Sequence, residues 1–293
     1  MQVIESISKL QEILQKERTA DRSIGLVPTM GYLHDGHLSL IEQAVRENQV
    51  VVVSIFVNPT QFGPDEDFEE YPRDLERDST LAEEAGVDYI FSPEVEEMYF
   101  ADHSTFVQVN ELTDKLCGRF RSGHFRGVTT VVSKLFNIVQ PHRAYFGQKD
   151  WQQFVVIKRM VRDLNFPVKL EMVPIVREED GLALSSRNKY LSPEAREIAP
   201  VLYQALKKGR QMVREGQKEA TKIKARLEKM IAEKKFTEIE YIAIVNPENL
   251  KEVSNISGKT VIALAVYVED TRLIDNIIIR EGDIPDDENS TEC

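Results

Sequence analysis

Three apolar runs near the N-terminus constrain this chain most: SIGLVPT (residues 23–29), VVVSIFVNP (51–59) and VDYIFSP (87–93). They are rich in β-branched residues. VVVSIFV shows no polar–apolar alternation, as expected of a strand buried on both faces. The segments between them, DGHLSLIEQAVREN (35–48) and RDLERDSTLAEEAG (73–86), have helical spacing, with Leu38, Ile41 and Val45 on one face. Strands returned by helices instead of tight turns run parallel, and such a sheet is covered on both faces.

The alternation continues downstream. GVTTVVSKLFNIVQP (127–141) reads as a helix stopped by Pro141, RAYFG (143–147) as a strand, DWQQFVVIKRMVRDLN (150–165) as a helix and KLEMVPIVR (169–177) as a strand. MQVIESISKLQEILQKER supplies a short strand and an amphipathic helix at the start. The prediction is an α/β domain with a doubly wound parallel sheet, a fold that binds ligands at the carboxyl ends of its strands.

Near residue 180 the character changes. EEDGLALSSRNKYLSPEAR is a polar connector that leads into a helix, with Ser192 as N-cap, Pro193 at the first helical position and Glu194 facing the dipole. Helices are expected over about 193–215 and 217–235, then a strand in IEYIAIVNP and a strand pair in KTVIALAVYVEDTRLIDNIII. The predicted organisation is a ligand-binding domain over 1–181, a smaller α+β domain over 182–280, and an acidic, disordered tail over 281–293.

Composition narrows the partners. The net charge is -12, from 49 acidic against 37 basic residues, which disfavours nucleic acid as the main partner. A small anionic ligand stays open, because a site can be locally basic on an acidic protein. The two cysteines, Cys117 and Cys293, form no framework and fit a reducing, cytoplasmic setting. The N-terminus lacks the apolar stretch of a signal peptide, and VIALAVYV (261–268) is too short to span a bilayer, so no membrane association is expected.

Four features carry candidate chemistry. In PTMGYLHDGHLSL (28–40), His34 and His37 lie three positions apart at the start of a helix, around Asp35 and Gly36. One helix face can aim both imidazoles at one spot, and Gly36 lets backbone approach a ligand. With Thr29 and Gly31 upstream, the turn offers free N–H groups suited to phosphate. Taken alone, the stretch leaves three readings open: a phosphate site, a metal site and a solvated polar turn. Metal is the weakest of them, since paired helical histidines for zinc favour a four-residue spacing and a third ligand.

EEDGLALSSRN adds Ser185, Ser186 and Arg187, two hydroxyls and a guanidinium that suit phosphate. YFGQKDWQQF (145–154) adds Gly147, Lys149 as a point charge, Asp150 as an acceptor for ribose hydroxyls, and Gln153 one turn on. FVNPTQF (56–62) puts the amides of Asn58 and Gln61 past the most apolar strand, where they suit a small substrate with hydroxyls and a carboxylate. Each feature alone also reads as ordinary capping, turn or linker chemistry. All four fall at strand ends or the domain junction, where this fold class holds ligands.

The stretches PTMGYLHDGHLSL, SIFVNPTQFGP, SGHFRGVTTVVSKLFNIVQPHRAYFGQKDWQQF and IVREEDGLALSSRNKYLS closely resemble the pantoate–β-alanine ligase (pantothenate synthetase) family, over about residues 1–280. The His-x-Gly-His turn alone is shared with a wider group of nucleotidyltransferases and class I synthetases. The resemblance implies a Rossmann-like N-terminal domain, a smaller C-terminal domain that closes over the site, and a cytosolic homodimer. It implies condensation of pantoate with β-alanine, using ATP and Mg²⁺, through a pantoyl adenylate that releases pyrophosphate and then AMP.

By motif, the resemblance implies that Met30, Gly31, Tyr32, Leu33, His34, Asp35, Gly36 and His37 bind ATP, with His37 as proton donor. It adds Gly147, Gln148, Lys149, Asp150, Val176, Leu184, Ser185, Ser186 and Arg187 to the ATP site. Gln61 is implied to contact pantoate and β-alanine, and Gln153 to contact pantoate. His34, His37, Lys149 and Arg187 are the expected catalytic residues, and few direct protein ligands to Mg²⁺ are expected. Leu184 stands where the family usually has Met, at little cost in an apolar contact. Ser122 replaces a usual Pro, which is expected to loosen its loop. The competing readings are a nucleotidyltransferase acting on a phosphorylated small molecule, an ATP-sensing module without turnover, and a zinc hydrolase.

Overall fold

The computed structural model describes residues 1–64 and 66–284. Its parallel sheet contains β1 (Gln2–Ile4), β2 (Ile24–Thr29), β3 (Val50–Ile55), β4 (Tyr89–Phe91), β5 (Arg143–Gly147) and β6 (Lys169–Val173), in the order β1-β4-β3-β2-β5-β6. The helices that return the chain are α1 (Ile7–Thr19), α2 (Asp35–Glu47), α3 (Leu75–Glu84), the single turn α4 (Val95–Met98), α5 (His124–Val139) and α6 (Trp151–Asp163).

Period-two packing explains the unbroken apolar runs. Val50 and Val52 enter one core with Leu26, Phe91 and Phe146, packed against Leu10, Val128, Leu135 and Ile157 of α1, α5 and α6. Val51 and Val53 enter the opposite core with Val27, Ile90 and Tyr145, packed against Ile41, Ala44 and Ala82 of α2 and α3. A strand with both faces covered leaves little room for polar side chains, and β3 carries one, the buried Ser54. β2 pairs with β3 on one side and β5 on the other, so the sheet reverses its winding between β2 and β5. The crevice outside such a reversal is where open parallel sheets hold ligands.

The chain divides into two compact units. The first contains Met1–Val176 and also Leu184–Ser186; the second contains Arg177–Ala183 and the residues from Arg187 onward. The dividing line differs from a single cut at residue 181 because the connector is a hairpin. Leu184 N–H bonds Val176 O, Arg177 pairs with Ala183, and Gly181 takes a positive φ at the tip. The chain therefore changes unit more than once.

In the second unit, α7 (Pro193–Ile198), α8 (Val201–Arg214) and α9 (Ala220–Ala232) accompany an antiparallel sheet of β7 (Thr237–Val245), β8 (Thr260–Val268) and β9 (Thr271–Ile279). Leu202, Leu206, Ile223 and Leu227 share a core with Ile242, Ile262, Leu264 and Ile277. The helix expected over 193–215 is two helices, because Pro200 has no N–H to give and disfavours helix at the residue before it. Ser192 caps α7 as expected, its Oγ accepting from Ala195 N–H at 3.2 Å.

The tail also begins differently. Glu281–Asp283 form a 3-10 turn whose Asp283 is buried and ion-paired with Arg214 at 2.7 Å. The rest of the predicted tail lies outside the described residues. No helix among the described residues is long and apolar enough to cross a membrane.

Candidate active site

β2 ends at Thr29, and the next five residues, Met30 to His34, form the turn into α2. Thr29 ties the ends of two strands: its Oγ1 donates to Ser54 O at 2.7 Å and accepts from Gly31 N–H at 3.1 Å. Tyr32 and Leu33 N–H donate to the two carboxylate oxygens of Asp78, at 2.6 and 2.7 Å. His34 is the N-cap of α2. Its Nδ1 accepts from Gly36 N–H at 3.1 Å, and His37 Nδ1 accepts from His34 N–H at 3.3 Å. The imidazoles thus form a capping box where hydroxyl and carboxylate usually serve.

One sequence expectation changes here. The N–H groups of Gly31, Tyr32, Leu33, His34 and Gly36 are all engaged within the protein, so the turn is not a nest of free N–H donors. Gly36 also makes room for a side chain: a Cβ there would lie 2.8 Å from the His34 ring. What the turn offers is imidazole. With Nδ1 of each ring accepting from backbone, the proton of each neutral ring sits on Nε2, which is left as a donor. The rings lie 4.0 Å apart, tilted by 32°, and both are half-buried.

Their electrostatics keep them neutral. Burial, then the charge of Lys149, pulls the His34 pKa down to about 4. Burial, His34 and Lys149 hold His37 well below its ordinary value. Lys149 reaches this place from the 3-10 turn Gln148–Asp150, which follows β5. β2 and β5 flank the reversal of the sheet, so the two turns leave adjacent strand ends. Lys149 Nζ donates to Leu184 O at 2.9 Å, and a Cβ on Gly36 would be 3.7 Å from Leu184 Cβ. Ser186 follows, its Oγ 3.2 Å from Tyr71 OH, with both side chains buried. The structure therefore brings together three of the four sequence features within the first unit. Arg187 follows Ser186 in the chain and opens the longer part of the second unit.

The fourth feature joins through Met30, whose sulfur accepts from Gln61 Nε2 at 3.2 Å. Asn58 and Gln61 play unequal parts. Asn58 is 1% exposed and its amide is saturated. Its Nδ2 donates to Gln61 Oε1 and Gly127 O, and its Oδ1 accepts from Thr60 and from Tyr99 OH. Asn58 is therefore a support for Gln61 and has no polar atom left for a substrate, contrary to the expectation from sequence. Gln61, with its oxygen occupied, presents Nε2. Gln153 is half-buried on α6, and Asp150 is exposed at the N-cap of that helix.

A sequence profile described as pantoate-beta-alanine ligase matches residues 2–278. The pantothenate synthetase of Moorella thermoacetica is 57% identical over 283 residues, covering 97% of this chain and 100% of that protein. The chain belongs to the pantoate–β-alanine ligase family. Among solved structures, the pantothenate synthetase of Thermus thermophilus superposes with a TM-score of 0.91 at 50% identity, covering 97% of this chain and 100% of that one. The pantoate-beta-alanine ligase of Francisella tularensis, solved with a β,γ-ATP compound and β-alanine, gives 0.78 at 34% identity, covering 95% and 97%.

Within this pantoate–β-alanine ligase fold, sequence reading missed Arg77 and Asp78. Asp78 is fully buried on α3. Burial pushes its carboxyl pKa up, against the two N–H bonds that hold it down. Arg77 donates to Leu33 O at 2.7 Å and lies over the Tyr32 ring at 4.9 Å. Tyr32 needs this clamp, since its φ of 52 lies in the left-handed region. The signal was present: Asp78 shares the core-facing stripe of α3 with Leu81 and Ala82, and a charge on such a stripe has a partner to find.

Proposed function

We propose that the chain condenses pantoate with β-alanine to give pantothenate, using MgATP and forming a pantoyl adenylate. One observation carries this reading. Two neutral Nε2–H donors and the Lys149 cation meet at the carboxyl ends of β2 and β5, beside a buried amide pair that presents Gln61 Nε2. Donors that need no reorganisation suit a phosphoryl group gaining charge, and the amide suits a hydroxy acid.

In the first step a pantoate carboxylate oxygen attacks the α-phosphorus in line. The bond to the β-phosphate oxygen breaks, and pyrophosphate leaves. In the second step the deprotonated β-alanine amine attacks the acyl carbon. The carbon–oxygen bond to phosphate breaks, AMP leaves, and the nitrogen gives up a proton. His34, His37, Lys149, Ser185, Ser186 and Arg187 stabilise the phosphate charge, while Met30 to His37, Gly147 to Asp150, Val176 and Leu184 frame ATP. Gln61 contacts both organic substrates and Gln153 contacts pantoate. In this reading His37 serves as a neutral hydrogen-bond donor, because its depressed pKa disfavours an imidazolium acid.

Mg²⁺ enters as part of MgATP. Among the described residues no group of three or more His, Cys, Asp or Glu is placed to hold a metal ion. The protonated Nε2 atoms likewise speak against His34 and His37 as zinc ligands. A homodimer and a cytoplasmic location belong to the same family reading; sedimentation checks the first.

The decisive experiment supplies MgATP and pantoate with and without β-alanine. Expected are pyrophosphate without the amine, and AMP with pantothenate once it is added. Transfer of AMP to a phosphorylated acceptor with no role for an amine would favour the nucleotidyltransferase reading. His37→Ala and Lys149→Ala should each lose ~100- to 1000-fold in adenylate formation with the fold intact. Near-normal pantoate-dependent ATP–pyrophosphate exchange in either variant removes that residue from the reading.

A further inference from the structure

Gln61 closes the 3-10 turn Pro59–Gln61, and its backbone is gripped as firmly as its side chain. His124, the first residue of α5, places Nδ1 2.8 Å from Gln61 O. A carbonyl oxygen only accepts, so Nδ1 carries the proton. His124 Nε2 lies 3.2 Å from an Arg121 nitrogen, and a guanidinium only donates, so Nε2 is the acceptor. Both neighbours thus select the same tautomer. Arg121 is in turn fixed by Glu66 through two hydrogen bonds, Nε to Oε1 at 2.9 Å and the terminal nitrogen to Oε2. The helix adds a steric stop: a Cβ on Gly127 would lie 2.3 Å from Thr60 O and 2.6 Å from Gln61 N.

We propose that Glu66, Arg121 and His124 form a positioning relay that sets the place of Gln61 and thereby the use of the two organic substrates. The relay rests on the reading of Gln61 as their contact. The hydrogen bonds that define it join Glu66, Arg121, His124 and the Gln61 carbonyl. Glu66 and Arg121 orient the ring, the ring's Nδ1–H anchors the Gln61 carbonyl, and Asn58 orients the Gln61 amide. Each link is directional, so the relay depends on where a donor sits and not only on filled volume.

The test uses the full-length protein and steady-state kinetics, with Gln61→Ala as reference and a thermal melt to establish folding. His124→Ala should raise the Michaelis constants for pantoate or β-alanine by about tenfold, the scale of one lost hydrogen bond. The constant for ATP should stay within about twofold. His124→Asn, whose amide N–H falls near the Nδ1 position, should recover most of the loss. His124→Gln, whose amide falls near Nε2, should not. Arg121→Met should move the same constants in the same direction by a smaller factor, because the tautomer is then selected once instead of twice.

The relay is overturned if Asn and Gln at position 124 behave alike, or if the ATP constant moves in step with the organic ones. It is also overturned if Gln61→Ala weakens organic-substrate use while His124→Ala does not, an outcome that leaves the role of Gln61 standing. If Gln61→Ala leaves both organic constants unchanged, the assignment of Gln61 itself fails, and the relay with it.

Discussion

His34 and His37 owe their properties to what their Nδ1 atoms touch. Both accept from backbone N–H groups, both rings are shielded, and Lys149 adds repulsion toward an imidazolium. The pH consequence can be signed. His34 titrates from 6.5 when exposed to about 4 in the fold. Between these values the unfolded chain binds the proton and the folded chain does not, so stability is fully present above 6.5 and falls as pH drops toward 4. His34→Asn keeps an acceptor for Gly36 N–H and removes the titration. Denaturant melts across that window should give a shallower pH slope in the variant than in the parent. The profile of kcat/KM for ATP, which reports the free enzyme, should show no inflection near 6.5 from these rings. Such an inflection, present in the parent and absent in His34→Asn, would refute their neutrality. Residue spacing was enough to place the two rings at one strand end. It could not show which nitrogen faces inward, nor that Asn58 is saturated, because both depend on groups distant in sequence, such as Tyr99 and Gly127.

At the scale of elements, legibility followed burial. β2, β3, β5, α2 and α6 were readable because a strand or helix with a covered face must repeat apolar residues at its own period. Ends and breaks were less readable. β6 stops at Val173, ahead of Pro174, and β3 stops at Ile55 although the apolar run continues to Val57. The role of α3 was invisible for a different reason: its work is to hold another element's turn. Asp78 reaches from α3 to the N–H groups of Tyr32 and Leu33, two donors that need two acceptors. In Asp78→Asn the shape is kept, but one oxygen becomes an NH₂ facing an N–H. Leaving that donor unsatisfied should cost about 1–3 kcal/mol of stability. Because the turn carries His34 and His37, kcat/KM for ATP should fall by more than that for β-alanine. A chemical melt with parallel kinetics checks both parts. Unchanged ATP kinetics in a destabilised variant would reduce Asp78 to a core residue with no bearing on the site.

At the scale of the whole molecule, each unit has its own apolar core, so unfolding need not be a single transition. A probe confined to one unit is therefore informative, and the chain contains one. Its single tryptophan, Trp151, is the first residue of α6, buried in the first unit two positions after Lys149. His34, His37, Lys149, Ser185 and Ser186 all belong to that unit. A ligand that binds only the folded form stabilises it by mass action, ~2.7 kcal/mol at a hundredfold excess over Kd. For a unit of this size that corresponds to roughly 5–10 °C in midpoint. MgATP should therefore raise the midpoint of the Trp151 fluorescence melt, and magnesium chloride alone should not. Lys149→Ala should lose most of the rise, since its cation is one of the groups meeting the phosphates. A Trp151 midpoint that ignores saturating MgATP would move the nucleotide site away from the β2 and β5 turns. An equal rise in the parent and in Lys149→Ala would keep the site there but take Lys149 out of ATP binding.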